Sequence, residues 1–479
     1  ISLRTSIGLR SARRGWGDND PHRGNPARRT GGKGNTRQHH ERTDVGRKRS
    51  NNQDSFTVVP AESPAEYRNR GWMLIVADGM GAHLGGEEAS RIAATRVPEL
   101  YRSLDPQRSP PLSLRTSLQR ANREIHRQGE SDPAYRGMGT TCSVLVLLPR
   151  GGLIGHVGDS RIYRIRKGTV EQLSRDHSLA WEIAAAAGPS IEEGSAAVPK
   201  NIITRSMGPH DEVEVDLEGP FPIELGDQFV LCSDGLSGTL RDEEIALFVA
   251  ALPPEEATAA LIGLALVRGA PDNTTVLVAT AGPEEVSRYS RRDAAWPLDD
   301  DGTTAARNRP WILLGIAAAC LFTALLINPW SDLMRGGSPL LQSVSRVGSL
   351  TCVGLALGCL AGSFFGFMMP PAKRVRTLAP GKQLGKGPYR SFDATPSTTQ
   401  FSGILNSLEA AGEEVARNGD QATANHLREA VGDCRQQLDA GDFSAALWAA
   451  ALGLSLFTAH IEAGRDEDAS AEPASSEAS

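Results

Sequence analysis

Two long runs without a charged side chain, residues 311–331 and 347–371, limit what this chain can become. They hold 21 and 25 residues, each enough to cross a hydrocarbon core of about 30 Å as a helix. Two such runs joined by a short loop are hard to bury in one soluble domain, so two transmembrane helices are expected. Flanking cations set their orientation: five Arg lie from Arg288 to Arg309, six Lys or Arg from Lys373 to Arg390, and only Arg335 and Arg346 between the runs. Both long flanks should face the cytoplasm, giving a multi-pass protein of the cell's inner or plasma membrane. Gly354, Gly358, Gly362 and Gly366 recur at every fourth position of the second run. That smooth stripe suits close packing, either on the first span or in self-association with another copy.

The rest of the chain divides around these spans. Residues 1–42 read as a disordered basic tail: the first fifty residues hold thirteen Lys or Arg against four Asp or Glu, without periodicity and without the apolar core of a signal peptide. Such a stretch is either upstream noise or an arm that touches acidic lipid. The whole chain of 479 residues carries 51 Lys or Arg against 57 Asp or Glu, which argues against a nucleic-acid partner. Its 6 cysteines show no CxxC or zinc spacing, as in a reduced compartment. Residues 283–309 and the basic stretch 372–398 read as linkers. Residues 399–464 read as a small all-α bundle of three amphipathic helices broken at Gly419-Asp420 and Gly441-Asp442, with uncharged Phe443 to Thr458 as its buried helix. An acidic tail, 465–479, follows.

Residues 43–282 have the texture of a mixed α and β domain, with apolar runs that stop at polar turns. Met73 to Ala77 ends at Asp78-Gly79, Cys142 to Leu148 follows Gly139-Thr140-Thr141, and Phe229 to Cys232 ends at Ser233-Asp234-Gly235. Asp78, Asp159, Asp234 and Asp272 each stand at a turn, where aspartate alone is ordinarily a turn former. A carboxylate at the end of a buried strand is costly unless a cation or hydrogen bonds compensate it. A hard, oxygen-only site for Mn²⁺ or Mg²⁺ accounts for several together.

The motifs Arg49-Ser-Asn-Asn-Gln-Asp54, Ala77-Asp-Gly-Met-Gly-Ala-His83, Gly86-Glu-Glu-Ala-Ser90 and Gly137-Met-Gly-Thr-Thr141 come first in the chain. His156-Val-Gly-Asp-Ser-Arg161, Asp176-His-Ser178, Thr204-Arg-Ser-Met-Gly208, Cys232-Ser-Asp-Gly-Leu-Ser237 and Asp272-Asn-Thr-Thr275 follow in order. Together, over residues 43–282, this set resembles the metal-dependent protein phosphatase family, the protein phosphatase 2C type, and within it the bacterial Ser/Thr phosphatases. The resemblance implies an α+β fold, a four-layer α-β-β-α sandwich of two antiparallel sheets flanked by helices. It implies hydrolysis of phosphoserine and phosphothreonine on proteins by a water or hydroxide that bridges two ions of Mn²⁺ or Mg²⁺, with a third ion in many bacterial members. By that resemblance Asp78 bridges the metals, Asp234 and Asp272 complete one ion's ligands, the Gly79 carbonyl serves the other, and Asp159 with Asp234 matches the third site. Arg49 matches the phosphate-binding arginine, and Asp54 a water-orienting carboxylate.

Two departures bear on the chemistry. Gln53 stands where many members carry Glu, which removes one negative charge. Met80 stands where the eukaryotic branch has a proton-donating His, leaving His83 as the nearest general acid. Residues 177–203 match the family's flap beside the site. The implied partners are phosphorylated proteins, targets of a Ser/Thr kinase, met at the membrane, with the phosphatase domain and the C-terminal bundle cytoplasmic. The alternative from another class is a catalytically weak or silent module that binds phosphoproteins at the membrane. Metal-dependent turnover separates the two.

Overall fold

The structure, a computed structural model, describes residues 39–81, 84–105, 108–187, 202–283, 296–297, 309–333, 339–368, 377–378 and 388–471. The chain opens with strands β1 (His39–Asp44) and β2 (Asp54–Val59), helix α1 (Pro64–Asn69), strand β3 (Trp72–Met80), and helices α2 (Leu84–Ser103) and α3 (Pro110–Ser131). Strands β4 (Gly139–Thr140), β5 (Cys142–Leu148), β6 (Gly151–Val157), β7 (Arg161–Arg166) and β8 (Thr169–Gln172) follow, then helix α4 (Leu179–Ala187). Strands β9 (Asp216–Phe221) and β10 (Gln228–Cys232), helices α5 (Asp234–Ser237), α6 (Asp242–Ala251) and α7 (Pro254–Val267), and strand β11 (Thr274–Thr280) close the region that carries the motifs.

Two antiparallel sheets result. One runs β2-β3-β5-β6-β9, with β4 paired to β3. The other begins β1-β11-β10-β7-β8. β3 and β5 read as unbroken apolar runs because both faces are buried. Met73, Ile75 and Ala77 turn towards α2 and α3, meeting Ile92, Val97, Leu114 and Leu118. Leu74 and Val76, offset by one residue, meet Leu231 and Leu277 of the second sheet. This period-2 alternation makes the two inner faces one apolar layer, and each fully buried Leu, Ile or Val contributes about 1.5–3 kcal/mol. Helices α6 and α7 cover the outer face of the second sheet through Phe248, Leu261 and Leu264. The layers are helix, sheet, sheet, helix, as expected for residues 43–282.

The domain starts earlier than that span. His39 to Arg42, expected in the basic tail, belong to β1 and pair with Ala279 to Val276 of β11. The alternation His39, Glu41, Thr43 against His40, Arg42, Asp44 carries no apolar signal, so β1 forms because β11 offers it an edge.

The C-terminal part contains β12 (Trp296–Pro297), helices α8 (Arg309–Leu333) and α9 (Pro339–Met368), β13 (Thr377–Leu378), β14 (Arg390–Asp393), and helices α10 (Thr398–Arg417), α11 (Gln421–Asp439) and α12 (Phe443–Ala471). Residues 372–398, expected as a linker, contain β14, which pairs with β8 and extends the second sheet to six strands. β12 pairs with β13, joining the stretches before α8 and after α9, and Trp296 and Leu378 are buried in the core beneath α3.

The three C-terminal helices are not an independent module. Phe401, Leu408, Ala450, Leu454 and Phe457 share one core with Leu261, Leu264 and Phe248 of α6 and α7. At the α7–α12 crossing the backbones touch: a Cβ on Gly263 would stand 2.9 Å from Leu454 Cβ.

Among the described residues, Phe443–Arg465 is the stretch long and apolar enough to cross a membrane by length and composition, and 44% of its most apolar window is buried inside the protein. Leu314–Leu326 and Val347–Ala361 are shorter apolar stretches of α8 and α9. α8 and α9 pack on each other, with the small residues Ala317, Ala324, Ala356 and Ser363 buried and Phe322, Leu325, Leu350 and Phe364 outward. A Cβ on Gly354 or Gly358 would meet nothing within 4 Å, so that part of the glycine stripe faces away from α8. The side-chain surroundings of Gly362 and Gly366 lie outside the described residues.

Candidate metal centre and phosphate site

The site gathers where strands of both sheets end. Asp78 lies near the end of β3 and stands opposite Asp54, the first residue of β2, in the antiparallel register. Asp234 opens α5 directly after β10, and Asp272 precedes β11. Asp159 sits in the turn between β6 and β7 and is 6% exposed.

Hydroxyls and amides fix these carboxylates. The Asp78 amide donates to Thr141 Oγ1 at 2.9 Å, and Thr140 Oγ1 donates to the Asp78 carbonyl at 2.9 Å. Thr141 Oγ1 also meets Ser160 Oγ at 2.8 Å, tying the Asp159 turn to the Asp78 strand. Asp54 Oδ2 accepts from Ser233 Oγ at 2.7 Å and from Thr275 Oγ1 at 2.6 Å. Gly79 is hemmed in by backbone: a Cβ there would lie 2.1 Å from the Gly86 carbonyl oxygen and 2.6 Å from that of Gln53. No side chain fits at that position.

Electrostatically the cluster is under-compensated. Burial raises Asp54 to about 7 against the help of Thr275 and Ser233, and burial with the nearby Asp234 charge raises Asp159 to about 7. Asp78 is pushed well up by burial and then by the charges of Asp54, Asp234 and Asp159, and it shares a hydrogen bond with Asp234. Asp234 is raised by burial and then by Asp272. Two buried oxygens, Asp54 Oδ1 and Asp159 Oδ1, have no hydrogen-bond partner. Among the described residues no three His, Cys, Asp or Glu side chains are already gathered as a metal ion would hold them. The donors converge without closing into a finished cage. Their chemistry, oxygen only with excess negative charge and unsatisfied buried lone pairs, fits Mn²⁺ or Mg²⁺.

Arg49 lies on the loop between β1 and β2, half exposed, and donates to Asp272 Oδ2 at 2.7 Å. Its guanidinium also feels Asp78 and Asp234, so it borders the carboxylate cluster with room on its outer side. His83 lies outside the described residues, as do residues 188–201 of the flap.

For two further contributors the sequence showed a motif but not its partners. Asn273 Nδ2 donates to the carbonyls of Val45 at 2.9 Å and Asn51 at 2.8 Å, and its Oδ1 accepts from the Gln53 amide at 2.8 Å. One side chain thus ties both ends of the Arg49 loop to the Asp272 turn. His177 Nδ1 accepts from the Gly158 amide at 3.0 Å while Nε2 meets Asp216 Oδ2 at 3.1 Å, which braces the Asp159 turn from below. Asp272-Asn-Thr-Thr275 and Asp176-His-Ser178 were visible as motifs, but the partners of Asn273 and His177 are 19 to 228 residues away.

A family profile described as Protein phosphatase 2C matches residues 45–261. The chain is 38% identical over 250 residues to Protein phosphatase PhpP of Streptococcus pneumoniae, covering 51% of this chain and 97% of the relative. It is 33% identical over 241 residues to Serine/threonine phosphatase stp of Listeria monocytogenes, covering 50% and 93%. A solved structure of the Mycobacterium tuberculosis serine/threonine phosphatase PstP/Ppp is 32% identical over 51% of this chain and 98% of its own, with a TM-score of 0.45. A PstP catalytic domain, 30% identical over 51% and 97% with a TM-score of 0.43, was solved in complex with 2 manganese ions.

Proposed function

The chain belongs to the protein phosphatase 2C family and is a serine/threonine protein phosphatase of the bacterial kind, and we propose that it dephosphorylates membrane-associated phosphoproteins with two or three Mn²⁺ or Mg²⁺ ions. The observation that carries the metal reading is the hydrogen-bonded Asp78–Asp234 pair, each carboxyl raised by burial and then by neighbouring carboxylates, beside the unpartnered oxygens of Asp54 and Asp159.

In this reading Asp78, Asp234, Asp272, Asp159 and the Gly79 carbonyl hold the ions. When bound there, the ions neutralise the phosphate dianion and supply an acidified water near neutral pH. The protein's own groups do the rest. Arg49 holds phosphate oxygens with its planar fork, exchanging part of its contact with Asp272 for the substrate. Asp54, fixed on Oδ2 by Ser233 and Thr275, presents Oδ1 as an acceptor that orients a water proton. His83 is the proton donor for the leaving serine or threonine oxygen.

Membrane attachment through α8 and α9, with the phosphatase domain and C-terminal helices cytoplasmic, is the second part of the proposal. Its support is the outward Leu and Phe side chains of both helices and the β12–β13 pair, which brings the two flanks together on one side. Tethering raises the local concentration towards membrane-bound targets of a Ser/Thr kinase. The outward glycines Gly354 and Gly358 suit self-association with a second copy.

The test uses the full-length chain in detergent: phosphate release from a phosphothreonine peptide with Mn²⁺, with chelator, and for Asp234→Asn. Turnover that needs Mn²⁺ and collapses in the variant is the expected result. A folded, Mn²⁺-loaded chain that binds the phosphopeptide without turnover would overturn the mechanism.

A further inference from the structure

The loop that carries Arg49 is gripped from outside the phosphatase fold. Its inner side rests on the site: Asn273 holds the Val45 and Asn51 carbonyls, and the Arg47 amide donates to the Ala270 carbonyl at 2.9 Å. Its outer side is taken by the C-terminal helices. Arg465 of α12 forks onto Asp44, Nη1 to Oδ2 at 3.0 Å and Nη2 to Oδ1 at 3.1 Å, and Nη2 also donates to the Gly46 carbonyl at 2.6 Å. Glu414 of α10 is paired with both terminal nitrogens of Arg47, whose guanidinium lies 5.8 Å from the centre of the Phe457 ring. Glu462 takes Arg42 at 3.2 Å.

These contacts converge on Arg42 to Arg47, and Arg49 is two residues further on. The helices that make them are anchored: Leu454 and Phe457 of α12 are fully buried against α7, and the Gly263 crossing leaves no slack. Asp44 is nearly buried, so its pairing with Arg465 is less screened by solvent than a surface contact. In the loop itself Arg47, Lys48 and Arg49 form a run of like charges that repel one another. Without a counter-charge on the outer side, that run has only its inner hydrogen bonds to hold its place.

We infer that Arg465 and Glu414 are positioning residues for the phosphate-binding arginine, so that the C-terminal helices act as a built-in clamp on the Arg49 loop. This rests on the reading of Arg49 as the phosphate-holding group. The helices set how readily substrate phosphate is held without touching it, and any partner that loosens α12 lowers affinity for substrate.

The experiment is a double-variant cycle on the full-length chain in detergent with Mn²⁺ and a phosphothreonine peptide, reading kcat and KM separately, with thermal unfolding of each variant as the check on folding. Arg465→Ala and Glu414→Gln each raise KM, by about tenfold for Arg465→Ala, with little change in kcat. Arg465→Lys, which keeps the charge but not the fork, recovers part of the loss. In an Arg49→Ala background Arg465→Ala adds nothing further. Arg435→Ala, which breaks the exposed Arg435–Glu409 pair within the same helices, leaves KM unchanged. Glu414→Gln carries the test if Arg465→Ala does not fold. An unchanged KM in both clamp variants, or a KM rise that persists at full size in the Arg49→Ala background, overturns the clamp. If Arg49→Ala is itself silent, the phosphate-binding reading fails and the clamp falls with it, a distinct outcome from failure of the clamp alone.

Discussion

Asp54 and Asp78 stand directly opposite each other across the β2–β3 pair, two carboxylates at neighbouring positions of one antiparallel ladder. Like charges so placed are destabilising, and here Asp234 and Asp159 add to the repulsion. The arrangement suits the cation-holding role proposed above, and in that role it trades stability for function.

Asp78→Asn is therefore expected to act in opposite directions on stability and activity. Without metal, the variant should melt about 2–4 °C higher, since removing one charge relieves repulsion worth on the order of 1 kcal/mol. With Mn²⁺, its phosphate release should fall by at least about a hundredfold. Calorimetry in chelator and a phosphatase assay in Mn²⁺ read the two effects. A metal-free variant that melts lower than wild type would mean that the carboxylates are not a strained cluster.

Arg49 offers a sharper test of geometry. The side chain is half exposed and its ion pair with Asp272 contributes little to folding, so Arg49→Ala should leave the melting temperature within about 2 °C. It should lower kcat/KM by about a hundredfold. Arg49→Lys keeps the charge but loses the planar two-point grip, and should recover only a minor part. Equal activity of the lysine variant and wild type would reduce Arg49 to a general positive charge.

What could be read from the sequence followed from locality. Asp78 and Asp234 were legible because each ends an apolar run, Met73 to Ala77 and Phe229 to Cys232, and a strand that stops at a carboxylate is a local signal. The apolar runs themselves announced only a mixed α and β domain; its four layers were legible through the resemblance of the ordered motifs to a known family. β1 was not, because its His, Arg and Glu side chains carry no alternation and its pairing with β11 joins residues more than 200 positions apart. The role of Arg465 was hidden still more deeply. It sits where the sequence turns acidic and solvated, and its partner Asp44 is 421 residues away. Amphipathic spacing in α10 to α12 announced helices with a buried face, yet the same pattern serves a free-standing bundle and a layer packed on α7. Leu454 against Gly263 decides between these, and no pattern within either helix records that contact.

Gly46 tests how closely the loop must seat. Its φ is +78°, and a Cβ there would lie 2.3 Å from the Asp272 carbonyl oxygen and 2.8 Å from that of Ala270. Gly46→Ala combines an unfavourable left-handed conformation, about 1–2 kcal/mol, with a clash against backbone that cannot rotate away. The variant should lose roughly 2–4 kcal/mol of stability by denaturant unfolding and lose phosphatase activity beyond what the stability loss explains, because the displaced backbone is that of the Asp272 turn, to which the proposed function assigns a metal ligand. A variant that is destabilised but fully active when folded would show that the loop tolerates a shift.

His156 sets an expected acid sensitivity. It is 1% exposed, with Nδ1 meeting Ser143 Oγ at 2.9 Å and Nε2 the Arg175 carbonyl at 2.8 Å. Burial, and then the neighbouring His177, push its pKa down to about 3, below the unfolded value of about 6.5. Between those limits the unfolded chain binds more protons, so stability falls as pH falls from about 6.5 towards 3. At pH 5 the loss relative to pH 7 is about 2 kcal/mol. The carboxylate cluster titrates in the same range with the opposite sign, so the quantity to measure is the stability difference between wild type and His156→Gln, both loaded with Mn²⁺. That difference should shrink by about 2 kcal/mol from pH 7 to pH 5. A constant difference would place a charged imidazole in the folded state.

Membrane attachment can be assigned to α8 and α9 or to α12, because both carry apolar stretches. The physical distinction is what covers them. Ala450, Leu454 and Phe457 of α12 are fully buried against the phosphatase core, whereas Phe322, Leu325, Leu350 and Phe364 of α8 and α9 face outward. Exposing several such side chains to water costs roughly 1.5–3 kcal/mol each, which a bilayer removes. The full-length chain should therefore stay with membranes through an alkaline carbonate wash, while a chain with residues 309–368 replaced by a short Gly-Ser linker should move to the soluble fraction with its phosphatase activity kept. The β12–β13 pairing of Trp296 with Leu378 brings the flanks together, so a short linker does not strain the domain. Release of the full-length chain by carbonate would refute the spans, and retention of the shortened chain would assign the anchor to another segment.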